Sequence, residues 1–135
     1  MRRFDAYKSA LSVLTRANEQ DLENEFIQSG IVDKFSLQFE LGWKMLKDLL
    51  RYEGDAAAAS GSPRQILKEA NRYFDFVDEE AWLRMLGDRN SIAHVYDGTA
   101  LNQLVNRVLE EYIPVFCALE LAVVDRYGNE LDSIA

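Results

Sequence analysis

Four side chains with the chemistry to bind a phosphate and move protons lie within residues 88–97. They are Arg89, Asn90, His94 and Tyr96, and His94 is the single histidine of the chain. A guanidinium binds phosphate oxygens through several N–H groups, while an imidazole gains or loses a proton near neutral pH. This set can stabilise charge on a phosphate and supply a general acid or base, so the stretch is the candidate catalytic site.

The spacing of Arg89 and His94 limits how a single helix could present them. On an ideal α-helix two residues five apart point about 140° from each other, whereas Asn90 and His94 share a face because they are four apart. Either the helix loosens within residues 91–93, or two copies of it meet and each contributes part of one site. A two-fold dimer would supply one histidine for each proton transfer of metal-free RNA cleavage, with Arg89 stabilising the phosphorane.

The composition is that of a globular protein of one domain with an acidic balance. The chain has 135 residues, 23 acidic and 15 basic side chains, and a formal net charge of −8. This balance argues against a general nucleic-acid coat, although it allows a local basic site. One cysteine permits no intrachain disulfide, and no signal peptide or apolar run of membrane length is present. We expect a cytoplasmic protein that binds no membrane, metal or cofactor.

Apolar residues recur at three- and four-residue steps along most of the chain, and no alternating strand pattern appears. The pattern therefore predicts an all-α helical bundle. The expected helices cover residues 2–23, 31–53, 63–74, 79 to about 97, and 99–127. Ser62, Asp78 and Thr99 are the expected N-caps of the third, fourth and fifth helices.

Two positions predict irregularities within this bundle. Gly42, inside the second helix, indicates a close approach by a neighbouring helix. Pro114 removes one backbone donor from the last helix, so a bend is expected there. We expect one domain over residues 1–128, followed by a frayed tail over residues 129–135.

Basic side chains recur on one side of the second and third helices. If these rows lie beside the motif of residues 89–96, an acidic protein gains a local positive groove for RNA or a nucleotide. Ordinary solvated helix faces are the alternative, with Glu40 and Lys44 as a pair four residues apart. The second-helix candidates and one from the fourth helix are Lys44, Lys47, Arg51 and Arg84; the third-helix row is Arg64, Lys68 and Arg72.

Several segments resemble the nucleotidyltransferase substrate-binding branch of the HEPN domains, also known as HepT-like toxins. The likeness spans about residues 4–127 and includes the R-x-x-x-x-H-x-Y arrangement of residues 89–96. The other matching segments are FELGWKMLK (39–47), SPRQILKEA (62–70), WLRMLGDRN (82–90) and YIPVF (112–116).

The resemblance implies an up-and-down four-helix bundle with an extra short helix, a two-fold dimer, and a small nucleotidyltransferase as partner. Members with the intact motif are metal-independent ribonucleases, which implies catalytic roles for Arg89 and His94, with Asn90 beside them. In the toxin–antitoxin version the partner transfers AMP to the motif tyrosine, here Tyr96, and silences the ribonuclease. The older family name implies instead a noncatalytic subunit that presents substrate to the nucleotidyltransferase. A plain dimerising bundle without either activity is the third alternative.

Overall fold

The computed structural model describes residues 1–95 and 97–134. Within them the α-helices are α1 (Arg2–Leu14), α2 (Glu25–Tyr52), α3 (Pro63–Tyr73), α4 (Glu79–Asn90), α5 (Gly98–Arg107) and α6 (Ile113–Tyr127). Short 3₁₀ helices cover Ala17–Glu19, Ala56–Ala59, Ile92–His94 and Gly128–Ser133, and a π turn, Val108–Tyr112, joins α5 to α6. The described residues contain no strand, which confirms the all-α prediction. None of the described helices is long and apolar enough to cross a membrane.

The first two helices have different bounds from those expected. We predicted a polar connection over residues 24–30, but α2 already begins at Glu25 because the Asn24 side chain caps it. Asn24 Oδ1 accepts hydrogen bonds from the backbone N–H groups of Phe26, at 2.9 Å, and Ile27, at 3.3 Å. Correspondingly, α1 ends at Leu14, and the chain passes through a 3₁₀ turn before the cap.

The third and fourth helices begin where their caps were predicted. Ser62 forms a reciprocal capping box with Gln65, and Pro63 occupies the first turn, where its missing N–H has no helical partner. The Asp78 carboxylate accepts the backbone N–H of Ala81. Helix α3 packs against both α2 and α4. The two caps thus set where α3 and α4 begin, and α4 carries Arg89 and Asn90.

One apolar core joins α1, α2, α4 and α6. Tyr7, Phe39 and Trp82 are buried in it, and the Phe39 and Trp82 rings lie 5.8 Å apart. A Cβ atom on Gly42 would overlap the Trp82 ring from α4 and lie 3.3 Å from Tyr7 of α1. The close approach predicted at Gly42 is therefore confirmed, and it allows α4 to pack tightly on the middle of α2.

The segment after Gly128 is packed, where the sequence predicts a frayed tail. Residues 128–133 form a 3₁₀ helix, and Leu131 and Ile134 are buried. The amino group of Met1 donates a hydrogen bond of 2.7 Å to the carbonyl of Leu131. Two apolar side chains and this terminal contact hold the segment on the bundle, which the local polarity of the sequence does not reveal.

Candidate active site

Arg89 lies in the last turn of α4, and its side chain rests on α2. Its guanidinium donates a hydrogen bond to the carboxylate of Glu40 and forms an ion pair with it. The same guanidinium lies over the Phe39 ring, 5.3 Å from the ring centroid. The side chain is 23% exposed. Two neighbouring residues of α2 thus orient Arg89 through charge and through a cation–π contact.

Glu40 is the acceptor around which several donors gather. The Trp43 indole Nε1 donates to Glu40 Oε2 at 3.1 Å, and Lys44 Nζ lies 3.4 Å from the same oxygen. The predicted pairing of Glu40 with Lys44 is confirmed. One carboxylate therefore faces two cations, Lys44 and Arg89, so positive charge remains in excess at this point of an acidic protein.

The helix that carries Arg89 ends before His94. Helix α4 stops at Asn90, the Ser91 hydroxyl donates to the Gly87 carbonyl at 3.0 Å, and a 3₁₀ turn covers Ile92–His94. The premise that Asn90 and His94 share the face of one helix is therefore wrong, and the loosening of the helix occurs. Asn90 and His94 are both exposed. Tyr96 lies outside the described residues.

A network behind Arg89 was not expected from the sequence. The carboxylate of Asp88 accepts two hydrogen bonds from the Arg107 guanidinium, each 2.9 Å long. It also accepts the hydroxyl of Tyr112. Burial, followed by the hydrogen bond to Asp88, raises the pKa of the Tyr112 phenol above its ordinary value, so the phenol remains a donor.

Carboxylates lie close to most of the cations predicted to bind RNA. Lys44 has Glu40, Arg51 Nη1 lies 3.6 Å from Asp48, and Arg84 pairs with Glu111 at 2.9 Å and with Glu80 at 3.4 Å. No ion pair is found for Lys47 in the described part of the chain. On the third-helix row, Lys68 pairs with Glu79 and Arg72 with Glu69. These contacts are those of solvated helix faces.

A cleft of about 920 Å³ lies beside the motif loop, which is the segment of residues 91–95 that follows α4. It is bordered by the first turns of α2, by Ile92 and Val95 of the loop, and by the start of α5. Its charged lining residues are Glu25, Asp33 and Asp97. Three carboxylates would repel a phosphate backbone, so this cleft is unsuited to RNA. Among residues 1–95 and 97–134, no group of three or more His, Cys, Asp or Glu side chains could hold a metal ion.

The arrangement brings a helix-borne guanidinium and an exposed imidazole to the same end of α4. A guanidinium can bind an anionic phosphate, and an imidazole can accept or donate a proton. The family model for nucleotidyltransferase substrate binding protein-like chains matches residues 2–124, which include both residues and the elements that carry them. No curated protein matches the chain. The chain belongs to the nucleotidyltransferase substrate binding protein-like family.

Proposed function

We propose that the protein is the partner of a small nucleotidyltransferase and cleaves RNA without a metal, at a site completed by two-fold dimerisation. The observation that supports this most strongly is the orientation of Arg89 by Glu40 and Phe39 at the end of α4, with exposed His94 on the turn that follows. A guanidinium held in advance stabilises a charged transition state better than one that must first be ordered.

The proposed reaction uses the 2′-hydroxyl of the RNA as nucleophile. His94 of one protomer accepts the 2′-hydroxyl proton while the oxygen attacks phosphorus, and Arg89 stabilises the negative charge on the phosphorane. The bond from phosphorus to the 5′-oxygen then breaks, and His94 of the second protomer donates a proton to that oxygen. The products are a 2′,3′-cyclic phosphate and a free 5′-hydroxyl, so atoms and protons balance.

The surface of α2 beside Arg89 has a character that suits contact with a second copy. Leu37 is 52% exposed and lies on the same face as Glu40 and half-buried Leu41, because these residues are three and four apart. A dimer formed over this face would bury Leu37 and bring two motif loops together. Replacing Leu37 with Asp should yield monomers without ribonuclease activity, whereas Leu121→Asp, at a leucine of α6 that is even more exposed, should not.

Transfer of AMP to Tyr96 is the proposed means of restraint. The added phosphate carries negative charge and would stand two residues from His94. It would compete with the RNA phosphate for Arg89 and would obstruct His94. The nucleotidyltransferase partner thereby silences the ribonuclease by a covalent change and not by binding alone.

The direct test is incubation of the purified, unmodified dimer with RNA in EDTA. We expect cleavage by the parent, loss of cleavage in His94→Ala, and retention in Asn106→Ala, a substitution at an exposed position of α5. If the unmodified dimer leaves RNA intact, the ribonuclease proposal is wrong. Intact-mass measurement after co-expression with the nucleotidyltransferase gives the second readout, since an added AMP that is absent in Tyr96→Phe supports the proposed restraint.

A noncatalytic substrate-binding subunit is the second candidate function. It is favoured by the net charge of −8 and by the carboxylates that pair with Arg89 and with Lys44, Arg51 and Arg84. This candidate predicts a stable complex with the nucleotidyltransferase that persists in His94→Ala, together with no RNA cleavage by the free dimer.

A further inference from the structure

The residue directly before Arg89, Asp88, is bound by side chains from the end of α5 and from the π turn. The Asp88 carboxylate accepts hydrogen bonds from Nε and Nη2 of Arg107, each 2.9 Å long, and from the hydroxyl of Tyr112. The Asp88 side chain is mostly buried, and Tyr112 is fully buried. Charge-assisted, two-pronged contacts of this kind restrict orientation more strongly than a single neutral hydrogen bond.

The π turn between α5 and α6 is what lets two side chains reach one carboxylate. Arg107 and Tyr112 are five residues apart, so on a regular α-helix they would point about 140° from each other. The π turn over Val108–Tyr112 widens the helix and brings positions five apart towards one face. The irregularity therefore has a local consequence, since it directs two donors at Asp88.

Helix α2 supports both sides of this arrangement. Phe35 stacks on Tyr112 with ring centroids 5.3 Å apart, and Phe39, one turn further on, lies beneath the Arg89 guanidinium. The two rings are fully buried. The last turn of α4 is thus held on one side through Asp88 and Tyr112 and on the other through Arg89.

The network also removes a competitor for Arg89. A free carboxylate on the adjacent residue would attract the Arg89 guanidinium away from Glu40. Because Arg107 occupies both Asp88 oxygens and Tyr112 donates to one of them, that carboxylate is already satisfied. The Arg89 guanidinium therefore stays available to pair with Glu40 and to bind an incoming anion.

We infer that Asp88, Arg107 and Tyr112 form a positioning network that fixes Arg89 for binding a phosphate. Its expected effect on rate rests on the proposed RNA cleavage, whereas its effect on the order of the Arg89 side chain does not. These three residues are positioning residues, since they act through Arg89 and touch no substrate. Tyr112→Phe is the mildest substitution in this network, because it keeps the ring on Phe35 and deletes only one hydroxyl.

The test compares Tyr112→Phe with Tyr127→Phe. Tyr127 is a matched control because it is also buried, and its hydroxyl also donates to a carboxylate, that of Glu53, at 3.1 Å. We expect kcat for RNA cleavage to fall about tenfold in Tyr112→Phe, with KM little changed, because a small displacement of an oriented group lowers the rate steeply. Tyr127→Phe should retain the parental kcat.

A second readout follows Arg89 itself and needs no enzymatic activity. The Nε–Hε signal of Arg89 in a ¹⁵N-labelled sample can be assigned through its loss in Arg89→Lys. We expect this signal to shift or broaden in Tyr112→Phe and to stay unchanged in Tyr127→Phe. An unchanged Arg89 signal in both variants would overturn the positioning role. If the parent cleaves no RNA, the proposed function fails, and the Arg89 signal alone decides this inference.

Discussion

The two ends of the motif are held in different ways. Arg89 lies on a regular helix, contacts two residues of α2, and follows a residue that is itself bound by the α5–α6 connection. His94 lies on an exposed 3₁₀ turn that begins where α4 stops. The fold therefore holds the Arg89 guanidinium in place and leaves His94 exposed, and in the proposed function these are the phosphate-binding and the proton-transferring groups.

The boundary between these two ends is set by Ser91. Its hydroxyl donates to the Gly87 carbonyl and its backbone N–H to the Gly87 and Asp88 carbonyls, so the helix closes there. The conflict of about 140° between Arg89 and His94 on a continuous helix is removed by this stop. Because α4 ends between Arg89 and His94, one helix no longer fixes the angle between the two side chains.

The largest expected difference between the two ends is in the effects of alanine substitutions. His94→Ala should reduce RNA cleavage by about 10²- to 10⁴-fold through loss of general acid–base catalysis, while the free energy of unfolding changes by less than about 0.5 kcal/mol because the residue is exposed. Arg89→Ala should lose cleavage and also stability, since Glu40 and Phe39 lose their contact. Cleavage assays and urea titrations measure the two effects. Equal losses of stability in both variants would contradict the comparison.

Phe39 tests the packing that supports the Arg89 end. The ring is fully buried between Trp82 and the Arg89 guanidinium, so Phe39→Ala should lower the free energy of unfolding by about 3–5 kcal/mol. Phe26 is the matched control, since it is 89% exposed and its replacement by alanine should change stability by less than about 0.5 kcal/mol. A Phe39→Ala variant that melts like the parent would show that this contact does not anchor α4.

Gly42 tests how closely α2 and α4 pack where they cross. A Cβ there would overlap the Trp82 ring, so Gly42→Ala should destabilise the protein by about 1–3 kcal/mol through overpacking. A Cβ added to Gly87, in α4, would meet no atom within 4 Å, and Gly87→Ala should stabilise by about 0.5–1 kcal/mol through helix propensity. Thermal unfolding of both variants gives the sign of each change. Two changes of the same sign would contradict this packing.

The smallest expected effect is a dependence of stability on alkaline pH. Burial raises the pKa of the Tyr7, Tyr112 and Tyr127 phenols above the ordinary value. Their contribution to stability is therefore complete below about pH 10 and is lost as the pH rises towards the folded-state values, by up to about 1.4 kcal/mol per pH unit for each phenol. Urea titrations in mildly and strongly alkaline buffer measure the slope. The slope should be shallower in Tyr112→Phe, and an identical slope would contradict the assignment.

Local signals predicted much of the frame that holds the motif. The cap at Ser62, the cap at Asp78 and the close approach at Gly42 each depend on a residue type in its immediate context, and each is observed. The start of α2 was missed because Asn24 looks like an ordinary loop residue until its side chain is seen to accept two backbone N–H groups. The cap predicted for the last helix was wrong, because Asp97 and not Thr99 accepts the backbone N–H of Ala100. A cap residue is therefore recognised from sequence only where the start of the helix is also recognised.

The sequence indicated which residue types the candidate site contains, but it did not indicate which side chains contact each other. Residue type and spacing were enough to make Arg89 and His94 candidates, and their roles remain a prediction. The pairing of Arg89 with Glu40 joins residues 49 positions apart, and that of Asp88 with Tyr112 joins residues 24 apart. Such pairs depend on how whole helices pack, and helical periodicity carries no information about which charged side chains will meet.

Mixed dimers of parental and His94→Ala subunits show whether one active site is built from both protomers. Two different affinity tags allow these mixed dimers to be purified. They are assayed with RNA in EDTA beside the parental homodimer and the His94→Ala homodimer. If one phosphodiester requires a histidine from each protomer, the mixed dimer should be as inactive as the His94→Ala dimer. Retention of about half the parental rate, as expected for two independent sites, would show that no shared site exists.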